Sequence, residues 1–234
     1  MVVSRARAAN PTIAGMPANP PDCIAIDGPA ASGKSTIGRI LAKRCGYSFL
    51  DTGLMYRAFA LAALRKQVPP TEEACAVFAK KLDLRLGEEP EAKVYLRDED
   101  VTDLLHDREI ERHVSAYASL DPVRAQMRKQ QRAYAKRGRT VLAGRDIGQV
   151  VVPEAPLKFY LEADEAARAR RRNTERGIVH DESARESREE LSRRDKLDSP
   201  QTYTAPDAIV IDTSEMTLDD VVARVLEQVK CESA

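Results

Sequence analysis

The chain has 234 residues, enough for one sizeable core with an inserted subdomain, and its 37 Lys/Arg balance 37 Asp/Glu. A formal net charge of zero excludes a protein built to coat nucleic acid, since no global positive field exists to release counterions, and no apolar run approaches the ~20 residues of a membrane span. Cys23, Cys45, Cys75 and Cys231 lie far apart and form no CxxC pair, so they read as free thiols in a reducing compartment and the expected location is the cytoplasm.

Residues 1–21, "MVVSRARAANPTIAGMPANPP", carry Arg5 and Arg7, four prolines and no acid. They lack the apolar stretch of a secretory signal and predict a disordered tail. Short apolar runs then recur along the chain: "CIAI" (23–26), "YSFL" (47–50), "TVLA" (140–143), "LKFYL" (157–161) and "AIVI" (208–211). Helical patterns follow most of them, which predicts a five-stranded parallel sheet with helices on both faces. After the first run, Ile37, Ile40 and Leu41 fall on one helical face, and Gly46 ends that helix. "LMYRAFALAALRKQ" predicts a second helix, stopped by Pro69-Pro70. The last helix begins near Thr217, an N-cap with Asp220 in its first turn, and turns Val221, Val222, Val225 and Val229 inward.

Two segments depart from this alternation. Between residues 69 and 137, "DLRLGEEPEAKVYLRDEDVTD" alternates apolar and polar residues around Gly87 and Pro90, predicting a small antiparallel hairpin followed by charged helices. Residues 173–193 form a second, charge-rich excursion. The expected layout is a core of residues 22–68 and 138–234, an insert at 69–137, and a short flap at about 173–193.

The first strand runs into Gly28, Pro29, Ala30, Ala31, Ser32, Gly33, Lys34, Ser35 and Thr36. This meets G-x-x-x-x-G-K-[ST] in full, and the strand before and the helix after it are the context the motif requires. Glycines let backbone N–H groups wrap phosphates closely, and the new helix offers its positive N-terminus. Lys34 reaches the β/γ-phosphates and the Ser35 hydroxyl is placed to ligate Mg²⁺. The chain has no NKxD and no LSGGQ, which leaves a small kinase of the P-loop NTPase class, its second substrate to be read elsewhere.

The acceptor is written elsewhere. In "LDTGLMYR" (50–57), Asp51 and Thr52 sit where the second strand meets its helix, either as an ordinary cap or at the ligand edge of an open α/β sheet. Arg57 lies one turn further on. "AGRDIG" (143–148) places Arg145 and Asp146 between two glycines at the end of the third core strand, as a structural pair or as a phosphate grip beside an acceptor of an amino group. "RARRR" (168–172) and "SRRDKLDS" (192–199) supply arginines on either side of the second excursion.

"IAIDGPAASGKST", "FLDTGLMYRAFALAAL", "VLAGRDIGQVVVPEAPLKFYL" and "RRDKLDS" occur in the order and spacing of bacterial cytidylate kinases, and the chain resembles that family from about Cys23 to its C-terminus. The resemblance implies a nucleoside monophosphate kinase fold with an enlarged monophosphate-binding insert and an arginine-bearing lid. It implies transfer of the γ-phosphate of ATP, with Mg²⁺, to CMP or dCMP in pyrimidine metabolism, by a monomer acting on small molecules alone. Carried over by motif, Arg57, Arg145 and Arg194 would hold the CMP phosphate. Arg124, Asp146 and Thr52 would read the cytosine, and Ser115, Arg194 and Asp198 would lie near the sugar. Lys34, Arg145 and Arg194 would act on the transferring group, and Arg168, Arg171 and Arg172 would border the lid. His106, His113 and His180 match no site position and read as surface or packing residues. One departure stands out. The family usually has an arginine three residues after the position of Asp198, where this chain has Gln201, and "PQTYTAP" is several residues short.

Overall fold

A computed structural model describes residues 21–87, 90–177 and 181–231. The predicted tail, apart from Pro21, and His180 lie outside the described residues.

The apolar runs form strands β1 (Cys23–Asp27), β2 (Ser48–Asp51), β6 (Thr140–Gly144), β7 (Leu157–Glu162) and β8 (Ile209–Asp212). All pair in parallel, in the order β2-β6-β1-β7-β8. Their alternation decides the two faces. Ile24, Ile26, Val141, Ala143 and Phe159 pack beneath helices α1 (Lys34–Cys45) and α8 (Leu218–Cys231). Ala25, Leu50 and Leu142 face the other way, onto helix α2 (Thr52–Arg65). Residues buried on both faces of a strand give the short continuous apolar runs seen in the sequence. The ends also follow it. Gly46 closes α1 in the left-handed region at φ 65°, and Thr217 and Asp220 cap α8 reciprocally through their side chains and backbone N–H groups.

The insert departs from the predicted hairpin. It holds α3 (Glu72–Lys81), three antiparallel strands, β3 (Leu84–Leu86), β4 (Val94–Leu96) and β5 (Glu99–Asp100), and helices α4 (Arg108–Ala118) and α5 (Asp121–Ala135). The extra strand comes from a two-residue turn in which Arg97 takes φ 56°, a conformation that no Gly or Asn announced. The insert shares its core with the sheet: Val94, Leu105, Val114, Val123 and Met127 belong to one apolar cluster with Leu50, Met55 and Leu142. It also covers an edge. Phe49 N donates to Pro90 O at 2.6 Å and Ala92 N to Phe49 O at 2.8 Å, so residues 90–92 pair with the outer side of β2.

The second excursion falls on the end of α6 (Glu165–Glu175) and most of α7 (Asp181–Asp198). Ala169 and Leu191 of these helices pack on Ala30 of the phosphate loop.

A Cβ on Gly38 would stand 2.5 Å from Cε2 of the buried Phe49 ring. We expect Gly38→Ala to destabilise by roughly 1–3 kcal/mol from overpacking, more than the ~1 kcal/mol gained in helix propensity. Urea unfolding would show a lower midpoint at unchanged slope; a raised midpoint would mean that the ring yields freely.

Candidate active site

The loop between β1 and α1 stands at the carboxyl edge of the sheet, where the chain order reverses on either side of β1. Gly28 is confined there: an added Cβ would meet Leu161 O at 2.2 Å. Gly33 enters α1 at φ 94°, a conformation suited to glycine. No side chain caps α1, and its first turn contains no acid, so its N-terminal N–H groups and dipole remain available to an anion. Lys34 donates to Pro29 O at 2.7 Å. Burial, reinforced by Arg145, pushes its amine down to about 7, against the pull of Asp51. Ser32 is buried, whereas Ala30, Ala31, Gly33, Lys34, Ser35 and Thr36 line a cavity of about 610 Å³.

Asp51 does both things the sequence left open. One oxygen accepts Gly53 N at 2.9 Å and caps α2, and the other accepts the Ser35 hydroxyl at 2.6 Å. Thr52, buried at the cavity wall, donates its hydroxyl to Ala143 O at 2.8 Å.

The opposite wall is the turn after β6. Arg145 donates to Gly28 O at 3.2 Å and pairs with Asp198 at 2.6 Å. Asp198 also accepts the Ser115 hydroxyl at 2.8 Å, which joins the insert to α7. The buried Asp146 carboxylate pairs with Arg124, which also donates to Ala118 O at 3.1 Å. Arg124 therefore holds Asp146 in place. Behind this turn lies Asp27, only 3% exposed, which accepts the N–H groups of Ile147 at 2.8 Å and Gly148 at 2.7 Å. Burial raises its carboxyl to about 7, against these two hydrogen bonds.

The arginines of the arms separate into distinct roles. Arg168 is held by Asp195 and by Ala30 O, and Arg171 turns away to Thr213. Neither lines the cavity, whereas Arg172 does. Arg172 meets Glu111 of α4, and so do Arg176 at 2.6 Å, Arg194 at 2.9 Å and Arg57 at 3.6 Å. Burial lowers the Arg57 and Arg172 guanidiniums to about 10, with Arg194 and Arg176 adding the next largest effects.

Sequence reasoning did not single out Glu111 or Arg176, because neither belongs to a motif and each looks like part of a solvated helix. Only the helical packing of the insert against the arms brings them together. His106 is exposed, as a surface residue, but at the cavity mouth. It lines the cavity with Nδ1 3.4 Å from Arg57, because the short 3₁₀ turn at residues 102–106 folds back over α2. Burial and Arg57 hold its imidazole below the usual range. His113 stays on the surface. Gln201 is half-buried and lines the cavity, as does Arg193.

Residues 24–231 match the sequence profile of the family described as "Cytidylate kinase". The chain belongs to this family. It is 41% identical over 216 residues to a cytidylate kinase of Bacillus licheniformis, covering 88% of this chain and 94% of the relative. Cytidylate kinases of Roseiflexus castenholzii and Chloroflexus aggregans are 42% and 43% identical, each over 89% of this chain and 94% of the relative.

The cavity thus has two walls rich in donors, the Gly28–Thr36 loop with its uncapped helix N-terminus and the arginine cluster. Eleven Lys/Arg against six Asp/Glu line it, so a chain of zero net charge carries a local positive excess. Glu111→Gln removes the carboxylate that four guanidiniums share. We expect it to destabilise the ligand-free protein by roughly 3 kcal/mol, since it leaves buried charge uncompensated. Bound phosphate or nucleotide should recover part of that loss in thermal melts. An equal loss with and without ligand would mean that these arginines do not face the phosphates.

Proposed function

We propose that this protein transfers the γ-phosphoryl group of ATP to CMP or dCMP in the cytoplasm. The observation that carries the reading is one cavity flanked by the complete phosphate loop and, one strand away, by the Arg145–Asp146 turn. Family membership supports it.

The loop N–H groups and Lys34 hold the donor's phosphates. Arg57, Arg145 and Arg194 hold the acceptor phosphate, and Arg172 and Arg176 face the transferring group. Asp146, oriented by Arg124, accepts from the exocyclic amino group of cytosine. The Thr52 lone pairs offer a second acceptor, and uracil presents a carbonyl at that position instead. Ser115 and Asp198 lie beside the sugar. Ser35 and Asp51 give two hard oxygen donors, a set that fits Mg²⁺ completed by water and phosphate oxygens. When bound, the ion neutralises charge on the transferring phosphates. No side chain has to remove a proton, because the acceptor phosphate is already a nucleophile at neutral pH. Positioning and charge carry the rate.

The direct test is a panel of acceptors with ATP, read as ADP release. CMP and dCMP should turn over well ahead of UMP, AMP and shikimate. Equal rates across the panel, or none, would overturn the reading. A second expectation concerns Gln201. Gln201→Arg adds a charge-assisted donor to the acceptor wall and should lower the KM for CMP by about tenfold, the size of a hydrogen bond to a charged group. An unchanged KM would show that Arg193 already fills this role.

A further inference from the structure

We infer that Asp27 is a positioning residue for the acceptor side: by accepting the Ile147 and Gly148 N–H groups, it locks the Arg145–Asp146 turn to the strand that carries the phosphate loop. This rests on the CMP kinase reading above for its kinetic part only.

Asp27 does not itself line the cavity. It ends β1, level with Gly144 of β6, and the residue after it opens the phosphate loop. Its neighbours along β1 are Ile24, Ala25 and Ile26, all fully buried. Burying a carboxylate among them is costly unless it is hydrogen-bonded, and core packing would be served by another aliphatic side chain. What a carboxylate supplies is two acceptors and no donor.

Both acceptors are used. The turn at residues 147–151 begins with two N–H groups that have no partner within the turn, as at any helical N-terminus. Asp27 satisfies one with each oxygen, at 2.8 and 2.7 Å. The turn is then held as a unit, because the Asp146 carbonyl accepts Val150 N at 2.9 Å and Val151 N at 3.1 Å. The fit is close. A Cβ on Gly148 would lie 3.1 Å from Lys158 Cδ and 3.4 Å from the Asp27 oxygen.

Two side chains leave the turn just before the clamped N–H groups. Arg145 reaches Gly28 O and Asp198, and Asp146 meets Arg124. Asp27 acts through them. It sets the height of the base-reading carboxylate and of the phosphate-gripping guanidinium relative to the donor loop.

The test is Asp27→Asn, which keeps the shape but turns one acceptor into a donor facing an N–H. Amide exchange read by mass spectrometry should speed up at least about tenfold in the peptide spanning residues 145–151 and stay unchanged in β1 and β7, the scale of one lost hydrogen bond to a charged acceptor. The KM for CMP should rise about tenfold and the CMP:UMP preference narrow, while the KM for ATP stays within about twofold. Asp27→Ser, which offers the turn no second acceptor and no amide, should give the same split and serves if the Asn variant does not fold. Unchanged exchange at 145–151, or equal losses for CMP and ATP, would overturn the inference. Faster exchange in a protein that never phosphorylates CMP would leave the clamp standing and remove the assigned activity instead.

Discussion

Guanidinium groups crowded into one cleft repel one another and need acids among them to stay together. This constraint organises the cleft. Glu111 takes Arg57, Arg172, Arg176 and Arg194 onto one carboxylate, and Asp198 takes Arg145 and Arg194. The two acids come from different regions, α4 in the insert and the end of α7. Holding the cations together therefore also holds the insert and the arms against the sheet.

The sheet supplies the fixed frame for that cluster. Parallel strands bring all their carboxyl ends to one edge. β1 lies between β6 and β7, so Gly28 and Arg145 become neighbours although 117 positions separate them along the chain. The phosphate loop and the Arg145–Asp146 turn are tied at two depths. Arg145 reaches the loop's first carbonyl at the rim, and Asp27 clamps the turn's backbone beneath.

Much of this was legible in the sequence. The five strands sit within a residue or two of the apolar runs, since a strand buried on both faces needs little more than such a run between turns. Gly46 and the Thr217–Asp220 pair announced helix ends by local chemistry. Six of the nine loop residues, Ala30, Ala31 and Gly33 to Thr36, do meet Asp51, Thr52, Arg57, Arg145 and Asp146 in one cavity, whereas Gly28, Pro29 and Ser32 do not line it. Harder to read was anything decided by helix-on-helix packing. Glu111 and Arg176 are charges on charged helices, and only the register of α4 against α6 and α7 makes them partners. His106 entered the cavity through a short 3₁₀ turn that has no sequence signature. The third strand of the small sheet depended on Arg97 accepting a left-handed conformation. Asp27 was legible as a letter in a motif but not as a clamp, because its partners are backbone groups on a distant turn.

The pairing of residues 90–92 with the outer side of β2 changes how the insert should be regarded. A strand at the end of a sheet offers a row of unsatisfied backbone groups, a template on which another chain can polymerise. Here the insert plugs that row with its own backbone, and the Arg39–Glu91 ion pair at 2.7 Å fastens the plug to α1. The insert is therefore not a detachable module. A chain pruned to the minimal kinase architecture would lose one side of the cavity and also gain a sticky seam, so evolution or design that trims this region must rebuild a guard for β2 at the same time.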